Sequence, residues 1–107
     1  MNPEPSIGVI TLNGELDIAR KDELRSALSV TQSAHPVLID LVGVTYADST
    51  ALSELLRFSL EAQDRKVPVA LLAISPQFLR VIEYARLDQA LRVFTDRERA
   101  LEYLHAS

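Results

Sequence analysis

Apolar residues recur along this chain at two alternating periods, near two and near 3.6, the pattern of an α/β domain. Ile7 to Leu12 reads as a strand, and Asn13-Gly14-Glu15-Leu16-Asp17 behind it has the chemistry of a turn. Ala19 to Val30 then sets Leu24, Ala27 and Leu28 at helical spacing. His35-Pro36 interrupts the pattern, Val37 to Leu41 reads as a second strand, and Ser49 to Arg65 as a helix with Leu52, Leu55, Leu56 and Ser59 along one stripe. Glu54, Arg57, Glu61 and Arg65 lie off that stripe. The spacings Glu54/Arg57 and Glu61/Arg65 predict ion pairs on a solvated face.

Val67 to Ile74 is apolar throughout, as expected of a central strand covered on both sides. Ser75-Pro76 starts the next helix with proline at its first position, Phe78, Leu79, Val81, Ile82 and Ala85 line it, and Leu87-Asp88 ends it. Leu91 to Phe94 is a short strand. Thr95 or Asp96 can cap a last helix in which Ala100, Leu101 and Leu104 face inward. Strands joined by right-handed helical crossovers predict a largely parallel sheet of about four strands packed with about four helices. With no repeat or linker in view, residues 1–107 are expected to form one domain.

Composition narrows the chemistry. The chain has 107 residues, 48% apolar and 24% charged, as in ordinary globular proteins. Its net charge is -4 and its eleven basic residues are dispersed, so no footprint for nucleic acid is present. Arg20-Lys21 and Arg65-Lys66 read as solvated helix ends. No stretch is long and apolar enough to cross a membrane, and residues 1–5 lack the features of a signal peptide, so the expected compartment is the cytoplasm, without direct membrane insertion. The absence of cysteine excludes disulfides and thiolate chemistry. Three glycines cannot build a dinucleotide turn or a P-loop, Ser49 is outside any nucleophile elbow, and His35 and His105 are placed as exposed polar residues. Asp17, Asp40 and Asp48 fall near element ends in the manner of a receiver domain, but the acidic pair and the lysine of that site are missing, and caps or loop hydrogen bonds suit each aspartate better. The expectation is a chain that is no enzyme and holds no metal or cofactor.

Asp48-Ser49-Thr50 is where candidate chemistry concentrates, between a strand-like run and a helix. Two readings stand. These are preferred N-cap residues, which need no further role. They also set a hydroxyl at a helix N-terminus, where the dipole favours added negative charge and the neighbouring Asp48 opposes it, as suits a phosphate switch.

The order of motifs resembles the STAS domain of bacterial anti-sigma factor antagonists over almost the whole chain. The resemblance rests on Gly14-Glu15-Leu16-Asp17, on Val37-Leu38-Ile39-Asp40-Leu41 leading into Val44-Thr45-Tyr46-Ala47-Asp48-Ser49-Thr50, and on Ile74-Ser75-Pro76 before a helix ending in Arg86-Leu87-Asp88. It implies a small mixed, mostly parallel sheet packed with helices, with Gly14, Asp17 and Asp40 as motif residues. It further implies that Ser49 is phosphorylated by an anti-sigma factor kinase, that the unphosphorylated form binds that kinase and so frees a sigma factor, and that a phosphatase restores binding. Partner contacts would come from Asp48, Ser49, Thr50, Tyr46, Ser53 and Glu54, with Tyr46 and Phe58 each open between surface and core. Asp17 would hold its loop near the Ser49 helix. Ala51 and Arg86 stand where the family usually has glycine, which bears on how closely a partner can approach the helix start. The alternative is a STAS subunit of an intermembrane phospholipid-transport complex, supporting an ABC transport ATPase. Nothing in the sequence sets the oligomeric state.

Overall fold

The computed structural model describes residues 7–29 and 35–106, so residues 1–5 and the expected end of the first helix at Val30 lie outside it. Four strands alternate with four helices: β1 (Gly8–Leu16), α1 (Lys21–Ser29), β2 (Val37–Ala47), α2 (Ser49–Asp64), β3 (Val69–Leu72), α3 (Pro76–Tyr84), β4 (Val93–Phe94) and α4 (Arg97–Ala106), with short 3-10 turns at Ile18–Arg20 and Leu87–Gln89. The strands lie in chain order, β1-β2-β3-β4, and every pairing among the described residues is parallel. This is the α/β sheet and helix complement expected from the two periods.

Strict alternation on the central strands divides the core in two. Val37, Ile39 and Leu41 of β2 and Val69 and Leu71 of β3 join a large cluster with α1, α2 and α3, while Leu38, Ala70 and Leu72 face Ala100 and Leu104 of α4. One helix cannot cover a whole sheet face. α4 packs against β3, β2 and β4, so the outward residues of β1, Val9 among them, stay exposed. β3 is buried on both faces, as a central parallel strand should be.

β1 departs from expectation. The segment Asn13 to Leu16, read as a turn, continues the strand and pairs with Gly43 to Ala47 of β2, with register shifts between Thr11 and Asn13 and between Gly14 and Glu15. Gly14 takes φ +81, which a side chain would strain, and this lets the chain bulge and resume pairing. Arg20 then donates to the carbonyls of Asn13 at 2.5 Å and Glu15 at 3.1 Å while pairing with Glu23 at 2.6 Å. Arg20 is thus a clamp on the strand edge and not simply a solvated helix end.

The helix signals hold where a cap is local. Ser75 Oγ accepts from the N–H of Phe78 with Pro76 at the first helical position, and Asp96 caps α4 by accepting from Glu98 N. α2 ends in a Schellman motif: Lys66 N donates to Gln63 O, Val67 N donates to Ala62 O, and Lys66 takes φ +60. Arg86 closes α3 in the same left-handed conformation, φ +59, which explains why glycine suits this position. Arg86→Gly is expected to raise stability by up to about 1 kcal/mol by removing the Cβ strain, partly offset by a freer unfolded chain. A lower urea midpoint for the variant would show that the arginine side chain contributes more than its backbone costs.

Candidate functional site

The site is built at the carboxyl end of the sheet, where β2 passes into α2. β2 outruns β3, since only Val37 to Asp40 pair with it. Beyond that point the start of α3 takes the place of the missing neighbour. Gln77 aligns its amide with the Ala47 backbone, accepting from Ala47 N at 3.2 Å and donating to Ala47 O at 3.4 Å, and Ser75 Oγ donates to Thr45 O at 3.3 Å. These contacts satisfy backbone groups that would otherwise be left unpaired at the end of β2.

Asp48 follows in extended conformation, and each of its polar groups is engaged. Its N–H donates to Leu16 O at 3.0 Å and its carbonyl accepts from Leu52 N at 3.0 Å. Oδ1 accepts from Ala51 N at 3.0 Å, which makes Asp48 the N-cap of α2, and Oδ2 accepts from Ile18 N at 3.1 Å. One carboxylate therefore caps the helix and ties it to the β1–α1 turn. Asp17, expected to make that tie, caps its own 3-10 turn through Ala19 N at 3.0 Å. Asp48 thus takes the tie expected of Asp17 in addition to its own cap, because only Asp48 stands beside both backbones.

Asp48→Ala is accordingly expected to cost roughly 2 kcal/mol, a cap of about 1 kcal/mol plus a hydrogen bond of similar size, and Asp17→Ala about 1 kcal/mol or less. Equal losses in urea denaturation would contradict the bridging role.

Ser49 is the first residue of α2 and is exposed, with Thr50 half-buried beside it and Ser53 exposed one turn further along. Ala51 is fully buried, so its methyl belongs to the core and leaves the solvent side of the helix start unobstructed. Tyr46 is 41% exposed, which resolves it to the surface; Phe58 is 2% exposed and belongs to the core.

Glu54 requires correction. Expected on the wet face, it is 5% exposed and sits between Arg25 of α1 at 3.0 Å and Arg57 at 2.9 Å. The hydrogen bond from Arg25, joined by that from Arg57, holds its carboxyl below the usual carboxylate range against the opposing effect of burial. Arg57 also pairs with Glu61 at 3.0 Å, the partner expected for Arg65. Glu54 thus joins α1 to α2, and its side chain is spent on that contact.

Asp40 lies apart from this site. It accepts from Val42 N at 3.0 Å and pairs with Arg97 of α4 at 3.1 Å, fixing α4 to the sheet. Among the described residues no three His, Cys, Asp or Glu side chains gather as a metal site. His35 and His105 are both exposed.

Exposed apolar residues stand at this end of the sheet, one of them contrary to expectation: Ile74, read as the end of a covered strand, lies beyond β3, which stops at Leu72. Ile18, whose N–H is held by Asp48, is 69% exposed, and Ile74, in the loop before the Ser75 cap, is 52% exposed. Their signal in the sequence is a large aliphatic residue in a loop bounded by capping residues. With Tyr46 near the end of β2, they stand at or just beyond the carboxyl ends of three neighbouring parallel strands, the end at which α/β folds place their sites.

The family model for the STAS domain matches residues 1–100. Among solved structures, an anti-sigma factor antagonist from Mycobacterium paratuberculosis superposes with a TM-score of 0.82 at 23% identity, over 92% of this chain and 85% of that one. A protein provisionally described as an anti-sigma factor antagonist from Thermotoga maritima gives 0.80 at 19% identity, over 90% and 86%. A sulfate transporter family protein from Wolinella succinogenes gives 0.74 at 22% identity, over 94% and 85%. No curated protein sequence matches the chain significantly.

Proposed function

Because this chain belongs to the STAS domain family, we propose that it is an anti-sigma factor antagonist whose binding of an anti-sigma kinase is switched by phosphorylation of Ser49. The observation that carries this reading is the exposed hydroxyl of Ser49 at the first position of α2, beside an Asp48 carboxylate already committed to two backbone N–H groups. The cap is made without Ser49, so its hydroxyl is free to be modified without dismantling the helix start. A solved antagonist of the same fold, and a second solved protein provisionally described as one, support the assignment. The chain is the substrate of the reaction and not its catalyst: the γ-phosphoryl group of ATP passes to Ser49 Oγ, ADP leaves, and the hydroxyl proton is released.

Partner contacts are assigned to Ser49, Thr50, Ser53 and Tyr46, with Ile18 added from its exposure next to Asp48. Asp48 shapes this surface and supplies the negative charge that opposes a phosphate. Glu54, held between Arg25 and Arg57, joins α1 to α2 and is left out of these contacts.

The test is affinity capture from native lysate with the unmodified chain as bait. Recovery of an ATP-binding kinase that phosphorylates Ser49 supports the proposal. Recovery of an ABC transport ATPase in its place, with Ser49 unmodified, overturns it in favour of a transport subunit in which the same hydroxyl belongs to a permanent interface.

A further inference from the structure

At the opposite end of the sheet, below the starts of β2 and β3, lies a cavity of about 540 Å³. Its size falls within the range of small-molecule sites. Ile7, Val67, Val69 and Leu104 supply apolar wall, and Lys66, Arg92 and His105, all exposed, supply a basic rim. Among the described residues no acidic side chain lines it, although the chain as a whole carries a net charge of -4. Neither Lys66 nor Arg92 has a carboxylate partner among the described residues, whereas Arg20, Arg25, Arg57 and Arg97 are all paired.

Ser59 adds an independent observation. Ser59 lines the same cavity, and its Oγ is buried with no hydrogen-bond partner among the described residues. A buried hydroxyl without a partner is costly, and native proteins rarely leave one without a reason. A ligand polar at one end would provide that partner.

We propose that this cavity binds a small organic anion: a carboxylate or phosphate head held by Lys66 and Arg92 and within hydrogen-bond reach of Ser59, on an apolar body packed against the aliphatic wall. The charge follows from the rim, since among the described residues an anion meets two cations and no carboxylate. The apolar body is dictated by the wall, which inorganic phosphate would leave uncovered. Ser59 and Lys66 belong to the far end of the helix that begins at Ser49, so this site is separate from the phosphorylation site and stands whatever partner is found there.

The test is titration of the isotope-labelled full chain, followed by amide shifts, with decanoate, decyl phosphate, decyltrimethylammonium and inorganic phosphate, each below its micelle concentration. Saturable shifts centred on Ser59, Gln63 and Arg92 are expected with the two anionic amphiphiles, whose relative affinities identify the head group. The cationic amphiphile and inorganic phosphate are expected to bind at least tenfold more weakly. Arg92→Glu should lower affinity at least tenfold, and Arg80→Glu, the same charge change on an exposed residue outside the cavity, should leave it unchanged. Ser59→Ala should weaken binding several-fold without lowering the thermal midpoint of the free protein, and it decides the matter if Arg92→Glu does not fold. Absence of saturable shifts, equal binding of the cationic amphiphile, inorganic phosphate binding as tightly as decyl phosphate, equal losses in Arg92→Glu and Arg80→Glu, or full affinity in Ser59→Ala overturns the proposal.

Discussion

Phosphorylated at Ser49, the domain is expected to remain folded and to bind its anti-sigma kinase about 2–5 kcal/mol more weakly, the scale for a misplaced charge in a buried contact, or roughly 30- to 4000-fold. Folding is spared for reasons visible at the helix start. Asp48 holds the cap, so Ser49 contributes little to it, and Ser49→Ala should cost no more than about 0.5 kcal/mol, as for an ordinary surface change. The helix dipole favours a phosphate at the first turn by about 0.3–1 kcal/mol, which offsets part of the repulsion from Asp48. Binding suffers because the phosphate must be desolvated in the contact beside the Asp48 carboxylate. Ser49→Ala should bind the kinase constitutively, and Ser49→Asp should bind less well than the parent but better than the phosphoform, having one charge where phosphate has nearly two. Phosphopeptide mapping after incubation with kinase and ATP, with affinities for all the forms, is the check. Phosphate on Thr50 or Ser53, or undiminished binding by the Ser49 phosphoform, ends this reading.

Glu54→Ala is expected to destabilise the domain by about 2 kcal/mol. Removing one partner of a fully buried ion pair costs about 3–5 kcal/mol, but Arg25 and Arg57 retain 56% and 33% of their side-chain exposure and can return to water, which reduces the loss toward that of charged hydrogen bonds, about 1.5–3 kcal/mol. At 107 residues each kcal/mol lowers the midpoint of thermal unfolding by about 4–8 °C. The acid limb gives a second readout. Because the folded-state pKa of Glu54 is depressed, its contribution is present in full above the ordinary carboxylate value of 4.5 and is lost as pH falls through the lower folded value. The difference in stability between parent and Glu54→Gln should therefore be constant near neutrality and shrink in acid. A double-mutant cycle with Arg25→Ala isolates the pair. Unchanged stability of Glu54→Ala together with lost kinase binding would return Glu54 to the partner surface.

Glu54 also shows where one-dimensional reading stops. Its spacing from Arg57 correctly predicted an ion pair, yet a helical period cannot reveal that α1 lies alongside and brings Arg25, 29 residues away in sequence, over the same carboxylate. The same holds for Asp48. Its type and position identified a helix start, and the family pattern singled out Ser49 next to it, but the second oxygen's partner is Ile18 N, 30 residues distant. Sequence alone suggests Asp17 for that tie, because it is the carboxylate that directly follows the Gly14-Glu15-Leu16 segment.

Local determinants were legible from the amino-acid order because each acts within a few residues: the strand and helix periods, the Ser75-Pro76 start, and the choice of Thr95 or Asp96 as the last cap, which the structure gives to Asp96. They suffice for the α/β class, the order of elements and the placing of Ser49. What only the tertiary structure decided depends on segments meeting across the sheet. Ladder pairing with β2 overrode the turn propensity of Asn13 to Leu16, because hydrogen bonds to Gly43 through Ala47 outweigh a local preference once a bulge at Gly14 restores register. Likewise the cover of one sheet face by α4, the brace of Gln77 on Ala47, and the basic-rimmed cavity beside Ser59 each join residues from distant parts of the chain. Periodicity records which side of an element is apolar; which neighbour that side meets is set by packing, and packing is where this protein's surface and its buried charge were determined.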